Sequence, residues 1–433
     1  MRTRAVLFLM VLLLAGMEAF ASSQVIVKLD KNEKTAIKDI AKFMGGRVLD
    51  EIPSQGLFLV ELPGPMPDKG ARFFGVNSWE SNRVVTKLHS ATGIILNAST
   101  LPPHWYDAQP ALTRIGRPAA ELLSTGKGIV VADINSGVDY GHPALTGAFT
   151  SGYDFILARP YTVTAAILNQ SDVAFLDQSD VAFLDQSDVA FLDAALTLAG
   201  VDAATTNYLN ASGVTGVSAS TIGLQVNQSA YSHGTLCAGM IHSIAPDSMI
   251  MPLRAFDDYG STDLFTLAKA IDFAVANSAQ VINMSFGLDA DSVAIHTSLQ
   301  AALAAGITVV ASAGNDNSAL VQYPAAYAGV LAVAATDNSD QKASFSNYGS
   351  YVAVSAPGVN VISSFPGGYY AAISGTSFAA PIVAAEAALL RAVLKDPATA
   401  IGQSSVSIDG LNLSYAGALG TGRVNLSHAL GAQ

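Results

Sequence analysis

Residues 126–143 read Gly-Lys-Gly-Ile-Val-Val-Ala-Asp-Ile-Asn-Ser-Gly-Val-Asp-Tyr-Gly-His-Pro. Ile129–Ile134 is a nearly continuous apolar run, interrupted only by Asp133. That is the pattern of a parallel strand covered on both faces. The strand gives way to polar residues and a glycine turn, Asn135-Ser136-Gly137. Parallel sheets place their sites at the carboxyl ends of strands, so these side chains are expected to face a crevice. Similar runs follow at Val281–Met284, Ile307–Ala311 and Val330–Ala334, with helix-like segments at Leu264–Ala276 and Val293–Ala305. Strands alternating with helices predict an α/β domain, a mostly parallel sheet with helices on both faces, over 123–433.

The chain ahead of this domain has a different texture. Arg2 and Arg4 precede the apolar run Ala5–Leu14, and Ala19-Phe20-Ala21 offers small residues for cleavage. This layout predicts a secretory signal peptide over 1–21 and a secreted or periplasmic protein. Residues 22–90 hold a β-branched run (QVIVKLD), an amphipathic stretch with Ile37, Ile40, Ala41 and Met44 at helical spacing, and a second apolar run (RVLDEIPSQGLFLVEL). They are expected to form a small strand–helix–strand α+β unit, with a further helix or strand near Val84. Residues 91–122, with Pro102-Pro103 and Pro110, are expected to be a linker.

The whole chain has 433 residues, 22 Lys plus Arg against 34 Asp plus Glu, a net charge of −12 and 50% hydrophobic residues. That composition excludes a disordered chain and argues against nucleic acid or an anionic membrane surface as partner. The single cysteine, Cys237, excludes an intrachain disulfide and a cysteine-based zinc site. No interior run reaches the ~18 apolar residues of a membrane span.

One segment departs from the α/β pattern. NQSDVAFL at 169–176 is followed by DQSDVAFL at 177–184 and again at 185–192, inside an acidic insertion over 160–230. Eight residues advance a helix by about 80° beyond two turns, so short strands and turns suit the repeat better than a helical stripe. Two readings stand side by side: a Ca²⁺-binding array, or a tandem duplication accommodated in a surface loop. The absence of turn glycines favours the duplication.

Three segments carry candidate chemistry. The first is Asn135-Ser136-Gly137; the second is Ser232-His233-Gly234-Thr235; the third is Ser374-Gly375-Thr376-Ser377, followed by an apolar helix to about Leu394. A serine hydroxyl is a weak nucleophile until a base takes its proton, and histidine has the pKa for that task. Ser377 falls near a helix N-terminus, where unpaired N–H groups favour developing negative charge. Ala313-Gly314-Asn315, after a buried strand, offers an amide for an oxyanion hole. His142, His242 and Cys237 read as structural residues.

Together these motifs resemble the subtilisin-like serine proteases, the subtilases, over about residues 115–430 apart from the repeats. The resemblance implies that Ser377 is the nucleophile, His233 the general base and Asn315 the oxyanion donor. It also implies substrate contacts from Ser285, Phe286, Gly287, Ala313 and Gly314. The N-terminal unit resembles the family's ferredoxin-like propeptides, so its partners would be polypeptide substrates and this unit, released by cleavage near 91–122. No cofactor is required, and structural Ca²⁺ is left open. The order of the motifs is that of subtilisin, and no G-x-S-x-G elbow occurs.

The pattern breaks at Asn135, where the family carries the catalytic aspartate. An asparagine can donate to the imidazole and hold the wrong tautomer, at a cost of ~10⁴ in kcat. Asp133, two residues back on the same strand face and about 6.6 Å along the chain, is a candidate substitute. Asp139 is a more remote one. Two readings of function follow: a secreted serine endopeptidase, impaired or using a non-standard orienting acid, and a catalytically weakened subtilase that binds polypeptides. A third, a non-protease protein built around the repeats, requires them to bind metal.

Overall fold

The computed structural model describes residues 23–29, 36–64, 76–86, 92–161, 201–217 and 232–432. The proposed signal peptide and the octapeptide repeats lie outside them. The chain divides into two units, Met1–Arg83 and Val84–Gln433.

The first unit contains β1 (Ser23–Leu29), α1 (Ala36–Phe43), β2 (Arg47–Ile52), β3 (Leu57–Leu62) and β4 (Val76–Ser81). Its sheet is antiparallel with the order β2-β3-β1-β4, the strand arrangement of a ferredoxin-like fold. Alternate residues Val25, Val27 and Leu29 pack with Ile37 and Ala41 of the helix and with Phe58, Val60 and Leu62. The second apolar run, read from sequence as one piece, folds as two strands. Pro53 starts the turn between them and Gly56 closes it at φ +67°.

The second unit opens with β5 (Val84–Val85) and β6 (Thr92–Asn97), then α2 (Pro110–Arg114) and α3 (Arg117–Glu121). Next come β7 (Val130–Asn135), β8 (Gly152–Asp154), β9 (Arg159–Tyr161), α4 (Ala203–Ala211) and β10 (Thr215–Val217). The central stretch is α5 (His233–Ile244), β11 (Met249–Arg254), β12 (Thr262–Asp263), α6 (Leu264–Ala276), β13 (Val281–Met284) and α7 (Val293–Ala304). It closes with β14 (Thr308–Ser312), β15 (Val330–Thr336), β16 (Val354–Pro357), β17 (Val361–Phe365), β18 (Tyr369–Ser374) and α8 (Thr376–Ala392).

The main sheet has eight strands in the order β16-β15-β14-β13-β7-β11-β8-β9, parallel except for the β8–β9 edge. This is the α/β class that the alternating runs predicted. Val131, Val281, Val310 and Val333 share one core with the buried faces of α5 and α8. By the two-residue period of a strand, Asp133 and Asn135 lie on the same face as Val131, and Asn283 on the same face as Val281. That face is apolar at its base and polar at the carboxyl end, which is where a site belongs.

Residues 91–122 differ from the expected linker. β6 lies between β18 and β10 in a second sheet, and Leu96, Tyr106, Leu112 and Ile115 are fully buried. Pro110, expected to break the chain into a linker, begins structure instead: it is the first residue of α2, a position where proline's missing N–H costs nothing. The unit accordingly starts before residue 123. Among the described residues no single helix is long and apolar enough to cross a membrane.

Candidate active site

Three elements bring the candidate residues together. Asn135 ends β7, His233 begins α5 and Ser377 lies in the first turn of α8. All three are buried. Glycine makes the approach of α5 workable. A Cβ on Gly234 would sit 2.5 Å from the Gly137 carbonyl and 2.7 Å from that of Ser136, so only glycine lets the helix start against the β7 turn. The Gly234 N–H donates to Ser136 Oγ at 3.0 Å, fixing that contact.

His233 Nδ1 meets Asn135 Oδ1 at 2.7 Å. The same oxygen accepts the Ser136 N–H at 2.9 Å, and Asn135 Nδ2 donates to both oxygens of Asp133 at 3.3 Å. Asp133 therefore reaches Asn135, and Asn135 lies between it and the imidazole. On the neighbouring strand Asn283 is in register with Asp133 and donates to its Oδ1 at 2.8 Å. Burial pushes the Asp133 carboxyl up to about 6, against the pull of the hydrogen bonds from Asn283 and Asn135.

Asn283 also donates to Ser285 Oγ at 3.0 Å, and that hydroxyl donates to the Ser377 carbonyl at 2.9 Å. The Ser377 hydroxyl in turn donates to the Ser285 carbonyl at 3.2 Å. The Phe378 ring packs beside the imidazole with centroids 5.4 Å apart.

Asn315 is oriented by the helix that carries Ser377. Its Oδ1 accepts from the Thr376 N–H at 2.9 Å and from Thr376 Oγ1 at 2.7 Å. With the oxygen held there, the NH₂ end is directed away from Thr376 and remains a donor. Gly314 precedes it at φ +107°, and a Cβ there would lie 2.2 Å from Gln322 Oε1. The backbone groups of Ala313 and Gly314 are occupied by Val333, Asn347, Tyr351 and Thr376, so these two residues frame Asn315. Phe286 is fully buried against Phe256, which makes its side chain part of the core. An edge that the sequence reading missed is β12, on which β5 lies as an added antiparallel strand.

Other candidates fall into structural roles. His142 accepts the Ala144 N–H at Nδ1 and contacts the Tyr369 carbonyl through Nε2 at 2.7 Å, and burial lowers its pKa. His242 is pushed down to about 4 by burial and the neighbouring His104. Asp139 holds turns through Gly141 and Gly367. Cys237, one turn along α5 from His233, lies closer to the chemistry than its reading as a buried hydrophobe implied. Its sulfur is 3.7 Å from His233 Nδ1 and 3.5 Å from the Ser377 carbonyl, while burial holds the thiol protonated.

This constellation lies on a known framework. The model of the subtilase family matches residues 126–408, most of the chain, and the chain belongs to that family. It is 35% identical over 272 residues to a thermophilic serine proteinase of Bacillus sp. (strain AK1), covering 63% of this chain and 54% of that one. It is 44% identical over 176 residues to the minor extracellular protease Epr of Bacillus subtilis (strain 168), covering 38% of this chain and 27% of Epr. The chain thus spans about half the length of the first relative and about a quarter of the second. In fold it is similar to the crystal structure of fervidolysin from Fervidobacterium pennivorans, with a TM-score of 0.67, 22% identity, and coverage of 96% of this chain and 61% of that one.

Proposed function

We propose that this chain is a secreted serine endopeptidase made as a zymogen. The observation that supports it most strongly is that the helix turn carrying Ser377 meets Asn315 through Thr376 and the His233 ring through Phe378, at the carboxyl end of a subtilase sheet. His233 takes the Ser377 hydroxyl proton as the oxygen attacks a peptide carbonyl. The developing oxyanion lodges between the Asn315 amide and the Ser377 N–H at the start of α8. The proton passes to the leaving amine, and water then hydrolyses the acyl-enzyme by the same base. Side chains and backbone donors perform every step, so no cofactor is needed.

The basic, then apolar, then small-residue order of residues 1–21 supports export. β5 on the β12 edge is an extended segment held as a peptide substrate would be. β6, in contrast, is an interior strand of the second sheet, and its loss would expose Ile94, Ile95 and Leu96. The processing cut therefore falls between Val85 and Thr92, at the very start of the 91–122 stretch or just ahead of it.

Asn135 in place of an aspartate favours one rival reading, a subtilase that binds polypeptide strands without cutting them. Incubating the purified chain with casein separates the two. The protease reading expects peptide release that Ser377→Ala abolishes, with a mature N-terminus between residues 86 and 92. Casein bound but uncut, with the N-terminal unit still attached, would favour the rival.

A further inference from the structure

The position of Asn135 raises a specific problem: an amide has two ends, and only one of them suits the base. If Nδ2 faced His233, it would donate to Nδ1, leave the hydrogen on Nε2 and remove the lone pair that must accept the serine proton. Two neighbours decide the orientation. The Ser136 N–H points at one end of the amide at 2.9 Å, and the Asp133 carboxylate meets the other at 3.3 Å through both oxygens. Exchanging oxygen and nitrogen would set N–H against N–H and oxygen against carboxylate, two repulsive contacts.

We propose that Asp133 is the positioning residue of this site, acting on His233 through the Asn135 amide. This inference rests on the protease reading of the site. The carboxylate fixes Nδ2, so Oδ1 is presented to the imidazole at 2.7 Å and can only accept. Nδ1 then carries the hydrogen and Nε2 is left as the base. As His233 becomes an imidazolium during proton transfer, the Asp133 charge polarises the intervening amide in the favourable sense.

A purely structural role explains less. Asp133 sits on a buried strand, with Asn283 and Asn135 as hydrogen-bond donors, Cys237 as a titratable neighbour and no cation among its described partners. An isolated buried carboxylate is costly, and an asparagine would fill the space without charge. What aspartate adds is a group that is acceptor-only when ionised, which is what the Nδ2 end of Asn135 requires. Asn283 holds the carboxylate from β13 and also holds Ser285, whose carbonyl receives the Ser377 hydroxyl. One amide side chain therefore links the orientation of the base to the seat of the nucleophile.

The test compares the wild type with Asp133→Asn and with the exchange variant Asp133→Asn/Asn135→Asp, each rate divided by the titrated concentration of reactive Ser377. The expected result is a fall of ~10²–10⁴-fold in kcat for Asp133→Asn with little change in KM, the upper figure being that for a wrong-tautomer imidazole. The exchange variant recovers most of the loss. A merely structural Asp133 would leave kcat per titrated site unchanged, and that result overturns the proposal. The ¹⁵N spectrum of the His233 ring gives a reading that needs no turnover. Hydrogen on Nδ1 in the wild type, moving to Nε2 in Asp133→Asn, supports the proposal; hydrogen on Nε2 in the wild type overturns it. A wild type that keeps the Nδ1 tautomer but cuts no peptide would contradict the protease reading alone.

Discussion

Asp133 on β7 and Glu386 in the middle of α8 are two of the fully buried carboxyl groups of the second unit, and neither has the arginine partner that Asp154 finds in Arg254. Asp133 receives N–H groups from Asn135 and Asn283, and burial raises its pKa only to about 6. Glu386 has no hydrogen-bond partner on either oxygen among the described residues, and burial alone raises it to about 8. Both pay for desolvation, but only one is surrounded by donors that hold its ionised form. Burial by itself therefore does not mark a working acid. The mark is a set of donors directed at it from the groups that carry the chemistry.

The sharpest contrast comes from removing each carboxyl in turn. Asp133→Leu is expected to reduce kcat by at least ~10²-fold, as loss of control over the imidazole tautomer should. Glu386→Leu leaves kcat per titrated site within about twofold. Equal losses from the two variants would erase the distinction.

Stability should separate them next. The Glu386 pKa is raised in the folded state, so unfolding releases its proton from pH ~4.5 upward while the folded chain retains it to about 8. Its contribution to stability is thus present at low pH, lost progressively between those values and constant above them. At ~1.4 kcal/mol per pH unit the total is of the order of a few kcal/mol. Denaturant unfolding of Glu386→Leu is expected to lose this slope and to be more stable than the wild type at pH 8.

A smaller effect turns one kind of acid toward the other. Asn283→Ala removes a donor from Asp133, which raises its pKa and moves the acidic limb of kcat toward higher pH. Because the ionised form orients Asn135, activity rises with pH through about 6 in the wild type. A limb that stays fixed in Asn283→Ala would show that Asp133 does not govern that range. Asn315→Ala tests the opposite wall of the site, with an expected loss of ~10²–10³-fold in kcat.

Much of this arrangement could be read from local pattern. The α6 segment Leu264–Ala276 and the β13 strand Val281–Met284 were expected at the residues where they occur, since an apolar run with caps is a local signal. Ser377, His233 and Asn315 were legible because small-residue motifs mark close backbone approach. Cross-strand facts were not. The alignment of Asn283 with Asp133 depends on the register of strands 150 residues apart. A buried asparagine in Val-Ile-Asn-Met was the available signal, since such a group requires a partner. The β6 strand was masked by the prolines that follow it, and its burial comes from β18, far along the chain. The amide orientation of Asn135 was left open, because the sequence does not show Ser136 N–H and Asp133 at its two ends.

The central claim is that Ser377 and His233 work as nucleophile and base although the group that meets the imidazole Nδ1 is the amide of Asn135. The rate at which a fluorophosphonate acylates Ser377 in the wild type, set against His233→Ala, tests it most directly. We expect adduct mapped to Ser377, formed at least ~10³-fold more slowly once the imidazole is gone. No adduct in the wild type, or the same rate without His233, would contradict it.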